Sequence, residues 1–341
     1  MKTPRILVVG SSNADMIIKL DRLPRPGETI LGGAFVTAAG GKGANQAVGA
    51  ARAGGQVTFI ARVGQDMFGD QAVAGFVRDG INVKYVVRDK TNPSGVALIF
   101  VAKDGENSIA VASGANARLS PADVQKAKSA FTGASVLVMQ LETPLETVQA
   151  AADFATKAGV RVILNPAPAQ PLPDLLLKRV SILTPNETEA KLLTGCTGEA
   201  AAAKLRARGV PTVILTLGAR GALIADSTGT QLVPGFKVKA VDATAAGDIF
   251  NGALAVALAE GQALPAAVRF ANAAAAISVT RLGAQTSAPT HQEIERFLKR
   301  SSQPPEQFPK DKVKAVDTTG LAGRRPLSYA YRRANLGSAT L

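Results

Sequence analysis

The 341-residue chain contains no tryptophan, one cysteine (Cys196) and one histidine (His291). A single cysteine excludes an intrachain disulfide and makes a reducing cytoplasm the expected compartment. Cys196 has no second Cys or His beside it in the sequence and is expected to be inert. A single histidine argues against a His-based metal site or a Ser-His-Asp triad. No apolar run is long enough to span a membrane, and Met1-Lys2-Thr3-Pro4-Arg5 leads into a strand pattern rather than a signal peptide. Zinc-finger, RNP and basic-zipper patterns are missing as well, so the net charge of +13 is not read as nucleic-acid binding. A basic surface equally suits an anionic small molecule such as a nucleotide. Seven basic and three acidic residues give segment 301–341 a charge of +4, which leaves +9 for residues 1–300.

What is present is 46% hydrophobic residues and 33 glycines, the composition of a close-packed α/β protein rich in tight turns. The length allows one large domain or two smaller ones. From residue 120 onward, strand and helix patterns alternate regularly, which predicts a parallel sheet. Strands are expected at 5–10, 56–63, 135–139, 160–164, 181–183 and 212–215. Helices are expected to 53 from the glycine turn at 40–43, at 67–78, from Ser120-Pro121 to about 130, and at 145–158, 249–260, 265–279 and 291–300. Residues 17–38 and 83–112 read as strands with turns, Asp104-Gly105 making one hairpin. Residues 301–341 are polar, basic and aperiodic, and are expected to form a mobile tail. In the tail, Lys312-Val313-Lys314-Ala315-Val316-Asp317 repeats the hexapeptide 237–242, but no aspartate follows Gly323.

Candidate chemistry sits at predicted strand ends. Asp242-Ala243-Thr244-Ala245-Ala246-Gly247-Asp248 runs through small residues into a helix. Small residues let backbone N–H groups approach an anion, and a carboxylate among them could take a proton from a hydroxyl. The alternative is an aspartate that merely caps the helix. Asn13 and Asp15 share a face of an extended segment and could bind adjacent hydroxyls, or could form an Asx turn. Gly40-Gly41-Lys42-Gly43-Ala44-Asn45-Gln46 opens a helix but is neither a Walker loop nor G-x-G-x-x-G, because Gly43 follows Lys42 and Gln46 replaces the third glycine. Asn186 and Glu189 share the face of a starting helix, where Asn fits an N-cap and Glu the N3 position of a capping box. Thr216, Leu217, Gly218 and Gly221 end a strand in a manner that suits a nucleotide.

Taken together, the motif around Asp248, the glycine turn at 40–45, Asn13-x-Asp15 and Asn186-x-x-Glu189 resemble the ribokinase-type (PfkB) carbohydrate kinases over roughly residues 5–300. The resemblance implies a doubly wound, mostly parallel sheet flanked by helices, forming a kinase domain over 1–300. It implies that residues 14–40 and the 83–112 region, with 90–113 as the domain bounds, form a small β-sheet lid. That lid would exclude water and offer a homodimer contact. It implies ATP-dependent phosphorylation of a small furanose, D-ribose foremost, at its 5-hydroxyl, with Asp248 as base. Asn13, Asp15, Gly41, Lys42, Gly43, Asn45 and Glu142 fall on the sugar-binding positions. Asn186, Thr216, Leu217, Gly218, Gly221, Ala246, Gly247 and Asn272 fall on the ATP-binding ones. Glu189 falls on the Mg²⁺ position, acting through water. Asp242, Thr244, Ser278, Arg281, Gly283 and Ser287 fall on those of a K⁺ site built largely from backbone carbonyls. The chain departs from the pattern at Ile249, where Thr is frequent. Another sugar or nucleoside as acceptor, or a sugar-binding regulator without catalysis, is the alternative.

Overall fold

The computed structural model describes residues 4–104 and 106–301. Gly105, the tail and its echo of 237–242 lie outside the described residues. In chain order the strands are β1 (Arg5–Val9), β2 (Asn13–Leu20), β3 (Ala34–Gly40), β4 (Gln56–Gly64), β5 (Asn82–Asp89), β6 (Gly95–Ala102) and β7 (Asn107–Ala112). There follow β8 (Val136–Met139), β9 (Arg161–Leu164), β10 (Ile182–Leu183), β11 (Thr212–Thr216), β12 (Gly221–Asp226) and β13 (Gly229–Pro234). A nine-stranded sheet runs β13-β12-β11-β10-β9-β8-β1-β4-β5, parallel from β11 to β5, with β12 and β13 antiparallel at one edge.

Both faces of this sheet are covered, which is why its central strands are apolar without alternation. Val8, Phe59, Val138 and Ile214 face one layer, which contains the helices Lys42–Arg52, Ala246–Ala259 and Leu264–Ser278. Leu7, Ile60, Leu137 and Leu164 face the other, with the helices Leu145–Lys157 and Gly198–Ala207. In the first layer two helices cross almost backbone to backbone. A Cβ on Gly252 would come within 2.6 Å of the Ala50 nitrogen, and one on Gly49 within 3.3 Å of the Ile249 Cα. That crossing brings the amino-terminal turns of Lys42–Arg52 and Ala246–Ala259 together over the carboxyl ends of the parallel strands.

A separate four-stranded sheet runs β3-β2-β6-β7 and is built from residues 13–20, 34–40, 95–102 and 107–112. β5 does not belong to it. The run 83–87, grouped with the lid on sequence pattern, pairs in parallel with β4 from Thr58↔Asn82 to Gly64↔Asp89. Its apolar side chains point both ways, Val83 and Val86 into one core and Tyr85 into the other, as an edge strand between two layers requires. The β12–β13 hairpin is a further addition, turned by Asp226, whose Oδ1 accepts from the Thr228 backbone N–H at 2.8 Å. Among the described residues no helix is long and apolar enough to cross a membrane.

Candidate functional site

Asp248 lies in the first turn of the helix Ala246–Ala259 and is 6% exposed. It does not cap that helix. The N-cap is Ala245, in the left-handed region at φ 60°, and no side chain bonds the free N–H groups behind it. Ala246 N–H meets the Ala243 carbonyl at 3.2 Å, which leaves the N–H groups of Gly247 and Asp248 as the uncapped donors of the turn. A Cβ on Gly247 would meet nothing within 4 Å. The missing side chain therefore opens space at a helix N-terminus, which fits an anion such as a phosphate.

The Asp248 carboxylate instead accepts from two side chains of the helix that crosses it. Asn45 Nδ2 donates to Oδ2 at 3.1 Å and Gln46 Nε2 to Oδ1 at 2.9 Å. Burial raises the Asp248 carboxyl above its ordinary range, although the Lys42 charge and both amides favour its ionised form. Asn45 Oδ1 is buried with no hydrogen-bond partner. An unmade acceptor beside a buried carboxylate fits a ligand that carries hydroxyl groups.

Lys42, Asn186, Glu189, Thr216, Ala246, Gly247 and Asp248 line one cavity of about 180 Å³. Burial alone would lower the Lys42 ammonium, but Asp248, Glu142 and Glu189 outweigh it and hold the pKa above the usual value. The capping box of Asn186 and Glu189 is fully formed: Glu189 N–H donates to Asn186 Oδ1 at 2.8 Å and Asn186 N–H to Glu189 Oε2 at 2.9 Å. Burial also raises Glu189, against the pull of its Asn186 hydrogen bond and of Lys42. A half-buried carboxylate held in this way, with a second one across the cavity, fits Mg²⁺, which keeps its waters and takes only one or two carboxylates. Among the described residues no cluster of three or more His, Cys, Asp or Glu offers an all-protein cage.

A second cleft, of about 360 Å³, is lined by Asn13 and Glu142 with Val111 of β7 and Asn116. Asn13 opens β2, and its Oδ1 accepts from Asn116 Nδ2 at 2.7 Å. Glu142 Oε2 receives the backbone N–H of Lys42 at 3.0 Å and the Ser11 hydroxyl at 2.5 Å. Asp15 stands over Gly40, where any Cβ would overlap its carboxylate. Burial, then the charges of Glu142 and Asp248, raise Asp15 from 3.8 to about 6. Gly41, at φ 88°, and Gly43 let the turn pass within 2.7 Å of the Asn13 nitrogen and 2.5 Å of the Ser11 nitrogen, measured from a Cβ on each. These glycines serve the packing of the turn.

The remaining expected residues lie around this centre. Gly221 closes on the Val233 carbonyl, and Asn272 Nδ2 donates to the Val233 and Pro234 carbonyls, so the two hold β13. Leu217 and Gly218 form the short turn between β11 and β12. Asp242 joins two segments, its Oδ1 accepting from Thr244 N–H at 2.9 Å and its Oδ2 from Gly283 N–H at 2.8 Å. Ser278 and Ser287 donate to carbonyls of their own turns, and the Arg281 guanidinium pairs with Glu293. Side-chain oxygens are thus engaged locally, and a monovalent cation here would meet chiefly backbone carbonyls.

Sequence reasoning passed over Gln46, Gln140, Asn165, Thr184 and Asn251, a connected set of buried polar side chains around Asp248. Their signal was position. Gln46 belongs to the glycine-turn motif, while Gln140, Asn165 and Thr184 each follow directly on a parallel strand. A larger cleft, of about 480 Å³, is lined by Arg5, Gln56 and Thr58 at the amino ends of β1 and β4. It lies at the opposite end of the parallel strands from these groups.

Residues 3–291 match the model of the pfkB family of carbohydrate kinases. A ribokinase of Haemophilus influenzae is 46% identical over 302 residues, 87% of this chain and 99% of its own length. A deoxyribokinase of Salmonella typhi is 39% identical over 300 residues, 86% of this chain and 98% of its own. The solved structure of an Arabidopsis thaliana ribokinase complexed with ribose and ATP superimposes with a TM-score of 0.82 at 35% identity, covering 87% of this chain and 99% of that one.

Proposed function

The chain belongs to the pfkB family of carbohydrate kinases, and from that premise we propose that it phosphorylates D-ribose at O5 with ATP, Asp248 acting as general base. The observation that carries this reading is a buried, amide-held Asp248 in the wall of a cavity that also contains an uncapped helix start, Lys42, Asn186 and Glu189. A second cleft is lined by Asn13 and Glu142, and Glu142 is near enough for its charge to act on Asp248.

In this reading Asn13, Asp15, Gly41, Lys42, Gly43, Asn45 and Glu142 hold the sugar, and its 5-hydroxyl donates to the Asp248 carboxylate. A carboxylate whose pKa is raised by burial is a better proton acceptor than an exposed one, while the Lys42 charge favours its ionised form. As the phosphoryl group transfers, charge developing on its oxygens faces the N–H groups of Gly247 and Asp248 and the Lys42 ammonium. Thr216, Leu217, Gly218, Gly221, Ala246 and Asn272 form the nucleotide side. Mg²⁺, when bound, neutralises phosphate charge; Glu189, through water, and Asn186 would hold it. Asp242, Thr244, Ser278, Arg281, Gly283 and Ser287 would hold K⁺ and order the segment that leads into Gly247.

The four-stranded sheet acts as the lid. By its register, Val36, Ile109 and Val111 share the face of Asp15, while Phe35 and Leu98 lie on the other; all five are exposed. Apolar groups on both faces fit a sheet that covers substrate on one side and meets a second copy on the other, giving a homodimer.

The deoxyribokinase likeness favours one second reading, an acceptor that lacks the 2-hydroxyl. A regulator without catalysis is disfavoured by the joint presence of Asp248, Lys42, Asn186 and Glu189. ADP release across ribose, 2-deoxyribose, hexoses and nucleosides decides among these. Ribose should have the highest kcat/KM. A tenfold preference for another acceptor, about 1.4 kcal/mol in the transition state, overturns the ribose assignment.

A further inference from the structure

We propose that Gln140 is a positioning residue for phosphoryl transfer: acting through Gln46, it fixes which end of that amide meets Asp248. Gln140 and Gln46 are both fully buried. Gln46 Nε2 donates to Asp248 Oδ1 at 2.9 Å and to Asn165 Oδ1 at 3.2 Å. The two ends of an amide are nearly equal in size, so shape alone does not choose between this orientation and its flip. Flipped, Gln46 would turn an acceptor oxygen toward a buried carboxylate.

Two neighbours prevent the flip. Gln140 Nε2 donates to Gln46 Oε1 at 2.6 Å, so the flip would set donor against donor. Asn165 presents Oδ1 because its own Nδ2 donates to the Thr184 carbonyl at 3.1 Å. The Thr184 hydroxyl donates to Asn251 Oδ1 at 2.7 Å, and Asn251 Nδ2 to the Gly247 carbonyl at 2.8 Å. The network thus returns to the helix turn that carries Asp248.

The other end of Gln140 has no such partner. Its Oε1 is buried with no hydrogen bond, against Gly10, where a Cβ would stand 2.0 Å away. Leaving a buried acceptor unmade is unfavourable, and turning Gln140 over to relieve it would set its oxygen against Gln46 Oε1. An arrangement that sacrifices stability to orient one amide beside a proton acceptor is the mark of a site tuned for chemistry.

The inference rests on Asp248 being the base, and the test separates the two claims. The full-length chain is compared with Gln140→Met, Gln46→Met, the double variant and Asp248→Asn, measuring kcat, sugar KM and Tm. Gln140→Met should lower kcat about tenfold, with KM and Tm little changed, since the variant removes one unpartnered oxygen and leaves another, Gln46 Oε1, in its place. Gln46→Met should lower kcat at least as far, and the double variant no further than Gln46→Met alone, because Gln140 acts through it. If Gln140→Met fails to fold, Gln140→Leu takes its place in the cycle. Normal kcat in Gln140→Met, a kcat loss that only accompanies a fall in Tm, or losses that multiply in the double variant would each overturn the inference. If Asp248→Asn abolishes turnover in the same experiment, the base assignment survives that failure; if Asp248→Asn turns over normally, both claims fall.

Discussion

Glu142 accepts the backbone N–H of Lys42 at 3.0 Å, across 100 positions of sequence. Lys42 is the first residue of its helix, whose N-cap is Gly41, and no N-cap side chain bonds the helix. Glu142 therefore acts as a remote cap that locks the glycine turn onto the end of β8.

On the proposed function, that geometry would give Glu142 a structural share in sugar binding. Glu142→Ala should lower stability by about 1–2 kcal/mol, the usual effect of losing a cap. Sugar KM should rise by more than kcat falls, because the turn holding Asn45 is loosened while Asp248 remains. Denaturant unfolding and initial-rate kinetics on the same preparation check both halves.

Asp15 supplies a pH dependence. Its carboxyl is raised to about 6 in the free protein, by burial and then by Glu142 and Asp248. If its ionised form accepts from sugar hydroxyls, sugar affinity should fall about tenfold per pH unit below 6. Stability runs in the opposite direction: between about pH 4 and 6 the folded chain binds more protons than the unfolded one, so this contribution is lost as pH rises through that window. Titration calorimetry with sugar alone measures the affinity without an intrinsic tryptophan signal. Asp15→Asn should bind weakly and show a flat profile below pH 6.

The main architecture was legible because both periodicity and punctuation marked it. Helices 67–78 and 145–158 fall where periodic segments stop at Gly80 and Gly159, strand 135–139 is a short apolar run, and the structure places all three within a residue or two. The assignment of 83–87 to a sheet was not legible. A β-prone run has the same pattern in either sheet, and only its pairing with β4 decides. At the site, motif positions located Asp248, Asn45 and Glu142. Whether Asp248 caps its helix or faces a cavity depends on Ala245 taking a positive φ, which no residue type announces. The amide network was hidden for a related reason. Gln46, Gln140 and Asn165 are far apart in sequence and become one group only when three segments meet over the strand ends.

Away from the site, Arg62 joins β4 to two nearly buried carboxylates, Asp89 at 2.7 Å and Asp123 at 2.8 Å. Both are 4% exposed, and Arg62 is 23% exposed. Arg62→Ala leaves two buried carboxylates without that partner, and stability should fall by about 3–5 kcal/mol. The scale of the loss should shrink in the triple variant that also replaces Asp89 and Asp123 by Asn. Equal losses in both would show that the pairing is not what holds the strand edge.

Potassium should activate. Asp242 ties Thr244 to Gly283, so an ion held by the 281–287 loop would order the segment leading into Ala245 and Gly247. Rates measured in K⁺, Na⁺ and tetramethylammonium at constant ionic strength should be highest in K⁺, with sugar affinity little altered. Equal rates in all three would remove the cation from the account.

The most direct test of the central claim is kcat of Asp248→Asn, measured with sugar affinity and Tm. Asparagine keeps the size of the side chain and one acceptor oxygen, enough for either Asn45 or Gln46 but not both, and it takes no proton at neutral pH. The account predicts a fall in kcat of roughly 10²–10⁴, with sugar affinity and Tm changed far less. A variant that turns over within severalfold of the parent would contradict it.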